Sequence, residues 1–128
     1  MQKQITSPIT AAQFIRPVFH GLDHEECWGI FLSCGNTVIS SQMLSKGTLT
    51  STSIDSRTVI RQALLCNAKS ILLLHNHLSG NPLPSVADVN LTDRIKKACS
   101  ILDLNLIDHI ILAEESFFSF AEERTITL

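Results

Sequence analysis

The chain has 128 residues, a formal net charge of −2, 45% hydrophobic residues and 17% charged residues. These values predict a single globular domain with a substantial core and exclude an intrinsically disordered chain. Because Lys and Arg are neither in excess nor gathered in a run, we do not expect this domain to bind DNA tightly by itself.

The cysteines and the apolar segments bear on the cellular compartment. The cysteines, which form no C-x-x-C pair and lie in or beside apolar segments, are Cys27, Cys34, Cys66 and Cys99. This pattern favours reduced thiols in or near the core over a zinc ribbon or a disulfide framework. The N-terminus is not followed by the apolar core of a signal peptide, and no stretch approaches about 18 consecutive apolar residues. We therefore expect a cytoplasmic protein without a membrane span.

In the first half of the chain, apolar periodicity and turn residues predict a helix, a β-hairpin and a second helix. Ser7 and Pro8 are typical of a helix start, because a hydroxyl cap precedes proline at the first helical position. The predicted elements are a helix from Ser7–Pro8 to about Phe19, strands over 25–33 and 38–44 around a turn at 34–37, and a helix from 55–56 to about 68.

In the second half, strands and helices alternate, and the chain closes with a second apparent hairpin. The predicted elements are a strand over 71–75, a helix over 85–101, a strand over 104–112 and a short strand over 117–120. The residues predicted to face inward from the three helices are Ile9, Ala12, Phe14, Ile15 and Val18, then Val59, Ile60, Ala63, Leu64 and Cys66, then Val89, Ile95, Ala98, Cys99 and Leu102. This order of elements predicts an α/β fold with a mixed sheet.

The apolar strand that begins at Ile71 ends in His75-x-His77. Side chains two apart in a strand leave the same face, with Cα atoms about 6.5–7 Å apart, so two imidazoles could converge on one ion. Glycine and prolines then impose a non-helical loop, and Ser85-x-x-Asp88 opens the next helix. If the loop folds back, His75, His77 and Asp88 form a three-ligand set of the catalytic zinc type, with an open position for water.

Each half of this motif also has a purely structural interpretation. Two histidines at the end of a strand are often only polar residues at the rim of a sheet. Ser85 and Asp88 have the spacing of a capping box, in which Ser85 caps the helix and an acidic residue occupies the third helical position. The capping role does not exclude the ligand role, and the conjunction of both patterns at fixed spacing favours a metal site.

His75-x-His77, seven residues and then Ser85-x-x-Asp88 resemble the JAMM signature of JAB/MPN metallopeptidases, and within that superfamily the chain is similar to the RadC group, UPF0758. Leu78 stands where that group usually has proline. Further segments similar to RadC-like chains are Lys46–Leu49, Ala68–Ile71, Ser79–Pro82, Leu106–Ile111 and Phe118–Phe120.

The resemblance implies a RadC-type JAB/MPN domain over residues 1–128, with the cytidine-deaminase-like α/β fold and about three helices on a mixed sheet. The helix-hairpin-helix region that precedes this domain in full-length RadC proteins is expected to be absent, so the chain is either an excised domain or a short relative.

The same resemblance implies the chemistry of the site. One zinc ion per chain would be held by His75, His77 and Asp88. Glu25 is expected to be the general base, with its neighbour Glu26 as the alternative, because strand alternation lets only one of them face the metal. Ser85 is expected to hydrogen-bond the oxyanion, although pure helix capping competes with this role.

Two further polar residues lie close to this motif in the sequence or in the predicted sheet. Asn76 should alternate away from the metal and bond to backbone. His109 is expected to be a satisfied structural histidine, or one that orients a ligand, rather than part of a second metal centre.

Three functions compete on this sequence. The first is a zinc metallopeptidase that cuts a peptide or isopeptide substrate of unknown identity. The second is a non-catalytic scaffold in DNA repair or recombination, which the RadC resemblance also permits. The third, a nucleobase deaminase, is disfavoured because it needs H-x-E and P-C-x-x-C motifs that this sequence lacks. The edge of the predicted hairpin leaves room for a homodimer.

Overall fold

A computed structural model describes residues 3–50 and 52–128. Within these ranges the chain forms helices α1 (Pro8–Phe19), α2 (Ser56–Leu65) and α3 (Val86–Ile101) and strands β1 (Glu26–Leu32), β2 (Val38–Lys46), β3 (Ser70–Asn76), β4 (Asn105–Leu112), β5 (Ser116–Ser119) and β6 (Arg124–Thr127). The six strands form one sheet in the order β2-β1-β3-β4-β5-β6. Only the β3–β4 pair is parallel among these strands. The predicted α/β fold with a mixed sheet is therefore confirmed.

Local sequence explains where the first elements begin and turn. Ser7 caps α1 through a capping box with Thr10, and Pro8 occupies the first turn, where it has no hydrogen bond to lose. The side chain of Asp55 caps α2 by accepting from the backbone N–H of Arg57. Asn36 adopts φ 60° in the turn between β1 and β2, a left-handed conformation that asparagine tolerates better than most residues. The hairpin thus forms where the sequence predicts it.

The sheet carries a separate apolar layer on each face, because alternate residues of β3 point to opposite sides. Ile71 and Leu73 pack with Val59 of α2 and Ile95 of α3. On the other face, the apolar layer includes the inner side of α1 and the residues Leu72, Leu74, Ile30, Ile110 and Phe117. All seven residues of β3 are buried, so β3 is the central strand of the fold.

The prediction of the inner face of α3 is partly wrong. The buried stripe is Asp88, Leu91, Ile95 and Cys99, whereas Val89 and Leu102 are exposed. A stripe at this spacing is what a helix of about 3.6 residues per turn produces, but its first member is a carboxylate. An apolar pattern could not identify Asp88 as an inward-facing residue, so the predicted face was rotated.

Smaller corrections apply to the other helices. α1 buries Ala11, Ala12, Ile15 and Phe19 rather than Ile9 and Val18. In α2, Val59, Ile60 and Ala63 are buried, and Leu64 is exposed although it was predicted to face inward. Both buried stripes are narrower than the predicted faces.

Two further features differ from prediction. The sequence did not indicate β6, whose four residues have a single partly buried side chain, Ile126; such a short edge strand has no usable periodicity. The four cysteines are free, as expected, but Cys34 is exposed in the hairpin turn rather than near the core. Across the described ranges, no helix combines the length and the apolarity that crossing a bilayer requires.

Candidate metal centre

The centre begins at the end of β3, where His75 lies on the same face as Ile71 and Leu73. That face is covered by α2 and α3, and the side chain of His75 is 1% exposed. In the antiparallel pair with β1, His75 lies opposite Cys27. The strand therefore delivers an imidazole to the inside of the molecule, beside the start of α3.

Asp88 meets both histidines of the motif from the first turn of α3. Its carboxylate is fully buried, with Oδ1 lying 3.0 Å from His75 Nδ1 and Oδ2 lying 3.1 Å from His77 Nε2. The structure thus brings together the three residues predicted as ligands, His75, His77 and Asp88.

The loop between β3 and α3 holds His77 in place. His77 N–H donates to the Leu112 carbonyl at 2.9 Å, and its Nδ1 lies 3.0 Å from the carbonyl oxygen of Asn81. Gly80 has φ +83°, a backbone conformation that residues with side chains rarely adopt. Leu78, in the position where proline is usual, is 51% exposed. The loop is therefore ordered by its own hydrogen bonds, which do not involve the Leu78 side chain.

Ser85 acts as the N-cap of α3 in the structure. Its hydroxyl accepts from the Asp88 N–H at 3.1 Å and donates its single proton to Asp88 Oδ2 at 2.9 Å, while its backbone N–H donates to the same oxygen at 2.8 Å. The same hydrogen bonds therefore cap α3 and hold the Asp88 carboxylate in place. In this arrangement the hydroxyl proton is engaged and does not point to a substrate.

The two adjacent glutamates lie on opposite sides of the sheet. Glu25 Oε1 is 3.2 Å from His75 Nε2, in ion-pair range although not in hydrogen-bonding geometry, and its side chain is 20% exposed. Glu26 turns to the other side, where Trp28 Nε1–H donates to it at 2.9 Å and His24 Nε2 lies 2.6 Å away. Glu25 is thus the glutamate that contacts the centre.

Asn76 behaves as the alternation of the strand predicts. It points away from the two histidines of the motif, accepts from the Glu26 N–H at 2.7 Å and donates to the His24 carbonyl at 3.1 Å. These bonds hold the backbone on both sides of Glu25, so Asn76 helps to position Glu25 from the opposite face of the sheet.

Counting protons and acceptors shows that the cluster fits a cation. The Asn81 carbonyl can only accept, so Nδ1 of His77 carries the proton and Nε2 of a neutral ring is a bare lone pair. That lone pair faces the Asp88 carboxylate at 3.1 Å. Two acceptors in this position need a positive charge, supplied by a second proton on the imidazole or by a metal ion. The donor set of imidazole nitrogens and a carboxylate suits zinc.

The electrostatics of the centre agree with that count. Burial by itself would raise the pKa of Asp88, but hydrogen bonds from His75, His77 and the Ser85 backbone outweigh it and hold that pKa far below its usual range. Burial opposes charge on His77 too, yet Asp88 and the Asn81 carbonyl hold the pKa of His77 above its ordinary value. Asp88 is therefore ionised at neutral pH, and its buried negative charge needs a cation beside it.

His109 lies beside the centre, and only one of its two ring nitrogens has a hydrogen-bond partner among the described residues. One of its ring nitrogens, a ring nitrogen of His75 and a carboxylate oxygen of Asp88 lie within 4.8 Å of one another, and all three residues are buried. Nδ1 is 2.6 Å from the Thr92 hydroxyl, but Nε2 is buried without a hydrogen-bond partner among the described residues. Burial lowers the pKa of His109 to about 3, so the ring is neutral.

Two signals could have drawn attention to this part of the centre. Thr92 lies four residues, about one turn, after Asp88 on α3, and the predicted strand that carries His109 could have been placed beside β3 by a helical crossover.

A cleft of about 430 Å³ opens beside His77 and Leu78, with Arg16, His20 and Glu114 among its lining residues. Arg16 Nη2 donates to the Glu114 carbonyl at 3.3 Å. The cleft opens the exposed side of the metal loop to solvent.

Comparison with known proteins agrees with the architecture. A family model described as RadC-like JAB domain matches residues 5–125. A UPF0758 protein of Flavobacterium johnsoniae is 42% identical over 121 residues, covering 94% of this chain and 53% of that protein. UPF0758 proteins of Haemophilus ducreyi and Thiobacillus denitrificans are 36% and 38% identical, over 97% and 92% of this chain and 56% and 53% of their own lengths.

The chain thus spans about half the length of the curated relatives it matches. The match of the family model covers nearly all of the described fold, including the strand, loop and helix that form the candidate metal centre. The chain belongs to the RadC-like JAB domain family.

Proposed function

We propose that this domain is a metal-dependent hydrolase that cuts an amide or isopeptide bond, with one zinc ion per chain held by His75, His77 and Asp88. The observation that carries the proposal is the convergence of His75 Nδ1 and His77 Nε2 on the two oxygens of the buried Asp88 carboxylate, at 3.0 and 3.1 Å. Zinc bound there would supply Lewis acidity, which lowers the pKa of water to about 7 and polarises a carbonyl.

Glu25 is the proposed general base. Its carboxylate touches His75 from the side of β1 and remains partly open to solvent, so it can reach both the centre and an incoming substrate. A base in this position takes a proton from the attacking water and passes it to the leaving amine. Glu26 lies on the other face of the sheet, so it could take this role only if the strand turned its two faces over.

Ser85 has a positioning role in this proposal. Its hydroxyl holds Asp88 Oδ2, and its backbone N–H holds the same oxygen. The hydroxyl can turn to a developing oxyanion while the backbone N–H keeps the carboxylate in place. The predicted oxyanion contact is therefore compatible with the cap, at the cost of one hydrogen bond to Asp88.

A second candidate is a non-catalytic scaffold in DNA repair or recombination, and one surface favours it. A groove of about 560 Å³ lies between α2 and α3, lined mainly by apolar side chains that include Ile60, Leu64 and Leu65, with Arg57 and Arg61 also among its lining. Leu65 is 73% exposed. Apolar surface of this kind is common where a partner docks.

The experiment that separates the two candidates uses protein purified without chelators, beside Glu25→Gln and the matched control Glu26→Gln. Zinc content is measured by mass spectrometry, and amine release is measured on a library of quenched peptides that carry peptide or isopeptide bonds. We expect about one zinc in all three proteins and turnover lost only in Glu25→Gln, by about 100-fold or more. Turnover that survives Glu25→Gln and is lost in Glu26→Gln would contradict the assignment of the base. Bound zinc without turnover on any peptide would favour the scaffold.

A further inference from the structure

His109 is held rigidly at the inner side of the metal centre. It lies on β4 beside Leu73 of the parallel strand β3 and is completely buried. Its ring stacks on Phe120 with centroids 4.8 Å apart and planes 8° apart. A β-bulge precedes it, since Ile71 pairs with Leu106 but Leu72 pairs with Asp108. Without this bulge, strict alternation from Leu106 would turn Asp108, not His109, toward the centre.

The hydrogen bonds around Thr92 fix which nitrogen of His109 carries the proton. The Thr92 hydroxyl has one proton, which it donates to the Asp88 carbonyl at 2.9 Å. At 2.6 Å from His109 Nδ1 the hydroxyl oxygen must therefore accept, so Nδ1 bears the hydrogen. Nε2 is left as a lone pair, buried and without a hydrogen-bond partner in the described ranges.

That lone pair has nearby groups with which it could share a cation. A nitrogen of His109, a nitrogen of His75 and an oxygen of Asp88 lie within 4.8 Å of one another. Two ligands of one tetrahedral zinc, each bonded at about 2.0–2.1 Å, lie about 3.3–3.4 Å apart, so the three groups must move closer together when they bind the ion. In contrast, His77 lies on the loop after β3 and approaches Asp88 from the side that faces solvent, with its side chain 13% exposed.

We propose that Nε2 of His109 is a further metal donor, so that His75, Asp88 and His109 form an inner donor set that retains the ion when His77 is absent. The inference rests on the proposed metal site and extends it. Three donors would then be buried on β3, α3 and β4, and His77 would be the replaceable ligand at the mouth of the site. Water would take the position that His77 leaves, so the site would keep the open position that hydrolysis needs. The ligands suit a borderline divalent ion such as Zn²⁺ or Co²⁺.

The first test titrates metal-free protein with Co²⁺ and follows its visible absorption, which reports the ligands directly. Wild type is compared with His77→Ala, His109→Leu, the double variant and the exposed control His20→Ala. We expect His77→Ala to keep one Co²⁺ with affinity reduced by about 100-fold or more, since loss of a direct ligand should cost at least as much as loss of an outer partner, and the double variant to bind none. The spectrum of His109→Leu should differ from wild type, which a purely structural histidine would not cause, and His20→Ala should match wild type.

The second test needs no substitution and so avoids misfolded variants. Ring ¹⁵N spectra of wild type are recorded before and after one equivalent of Zn²⁺. The His109 Nε2 resonance should move from that of a free lone pair to that of a metal-bound nitrogen. An unmoved His109 signal with shifted His75 and His77 signals, or complete loss of metal in His77→Ala, overturns the inner donor set and leaves the proposed site intact. Failure of wild type to bind either ion overturns both.

Discussion

Asp88 organises the centre because each of its two carboxylate oxygens has polar partners from the histidines or from Ser85. Oδ2 accepts from the Ser85 N–H and hydroxyl and faces His77, while Oδ1 faces His75. These contacts position the carboxylate before an ion arrives, and ligands held in this way lose little freedom on binding. The helix cap and the ligand site therefore share the same atoms.

The dual role of Ser85 can be tested by Ser85→Ala, with Ser7→Ala as the matched control. Both serines cap a helix through a capping box, so each substitution should lower the free energy of unfolding by about 1 kcal/mol. Only Ser85→Ala removes a hydrogen bond from a metal ligand, and we expect it alone to weaken zinc binding, by about 10–100-fold. Urea denaturation and zinc competition with a chromophoric chelator measure the two effects. Equal zinc affinity in both variants would show that the hydroxyl of Ser85 serves only as a cap.

The start of β1 shows how an element is fixed so that Glu25 points inward. His24, Glu26 and Trp28 form a hydrogen-bonded chain on the outer face, and Asn76 of β3 holds the backbone at Glu26 and His24. Sequence alternation predicts that only one glutamate faces the site, but the choice depends on the register with β3. Cys27 opposite His75 fixes that register.

This outer chain predicts a pH dependence of stability. Hydrogen bonds to Asp23 and Glu26 raise the pKa of His24 above 6.5, so its contribution is present below pH 6.5 and is lost as pH rises through the raised pKa. The Trp28 hydrogen bond and His24 lower the pKa of Glu26 below 4.5, so its contribution is present above pH 4.5 and is lost as pH falls through the lowered pKa. Both contributions are complete between about pH 4.5 and 6.5.

Fluorescence can follow this chain, because Trp28 is the only tryptophan in the sequence. In folded wild type, the emission of Trp28 should change as Glu26 takes a proton, with a midpoint below that of an ordinary glutamate. Glu26→Gln should remove this transition and the part of the acid loss of stability that Glu26 causes, while the exposed control Glu115→Gln should retain both. A wild-type profile in Glu26→Gln would refute the role of this chain.

β4 marks the limit of prediction at the scale of elements. Its span was predicted to within a residue, yet the bulge that brings His109 to the metal face depends on pairing with β3, which adjoins it only after the α3 crossover. A period of two along one strand contains no such information. The same limit applies to Asp88, whose inward position comes from the loop and cap rather than from an apolar stripe.

For the whole molecule, the sequence predicts the order of helices and strands, the mixed sheet and the convergence of His75, His77 and Asp88. The order of elements and the mixed sheet follow from local signals, which are apolar runs and turn residues. The convergence of the three residues also needed the fixed spacing of the two motifs and their resemblance to the JAMM signature. The two apolar layers meet at β3, which contributes Leu73 to one and Leu72 to the other. Because β3 packs in both layers and also carries His75, the same packing that stabilises the fold positions the metal centre.

A core substitution tests this architecture. Leu73→Ala removes a completely buried side chain, and we expect the free energy of unfolding to fall by about 2–5 kcal/mol. Leu65→Ala is the control, since the Leu65 side chain is largely exposed, and should change it by about 0.5 kcal/mol or less. Urea denaturation measures both. A larger loss in Leu65→Ala than in Leu73→Ala would contradict the assignment of the core.

The account as a whole depends on the metal, and the most direct measurement is zinc per chain in wild type, His75→Ala and Asp88→Ala purified without chelators. His75 and Asp88 belong to both proposed donor sets, so we predict about one zinc in wild type and none in either variant, with each variant still folded by circular dichroism. Equal zinc in all three, or none in wild type after zinc is supplied, would contradict the account.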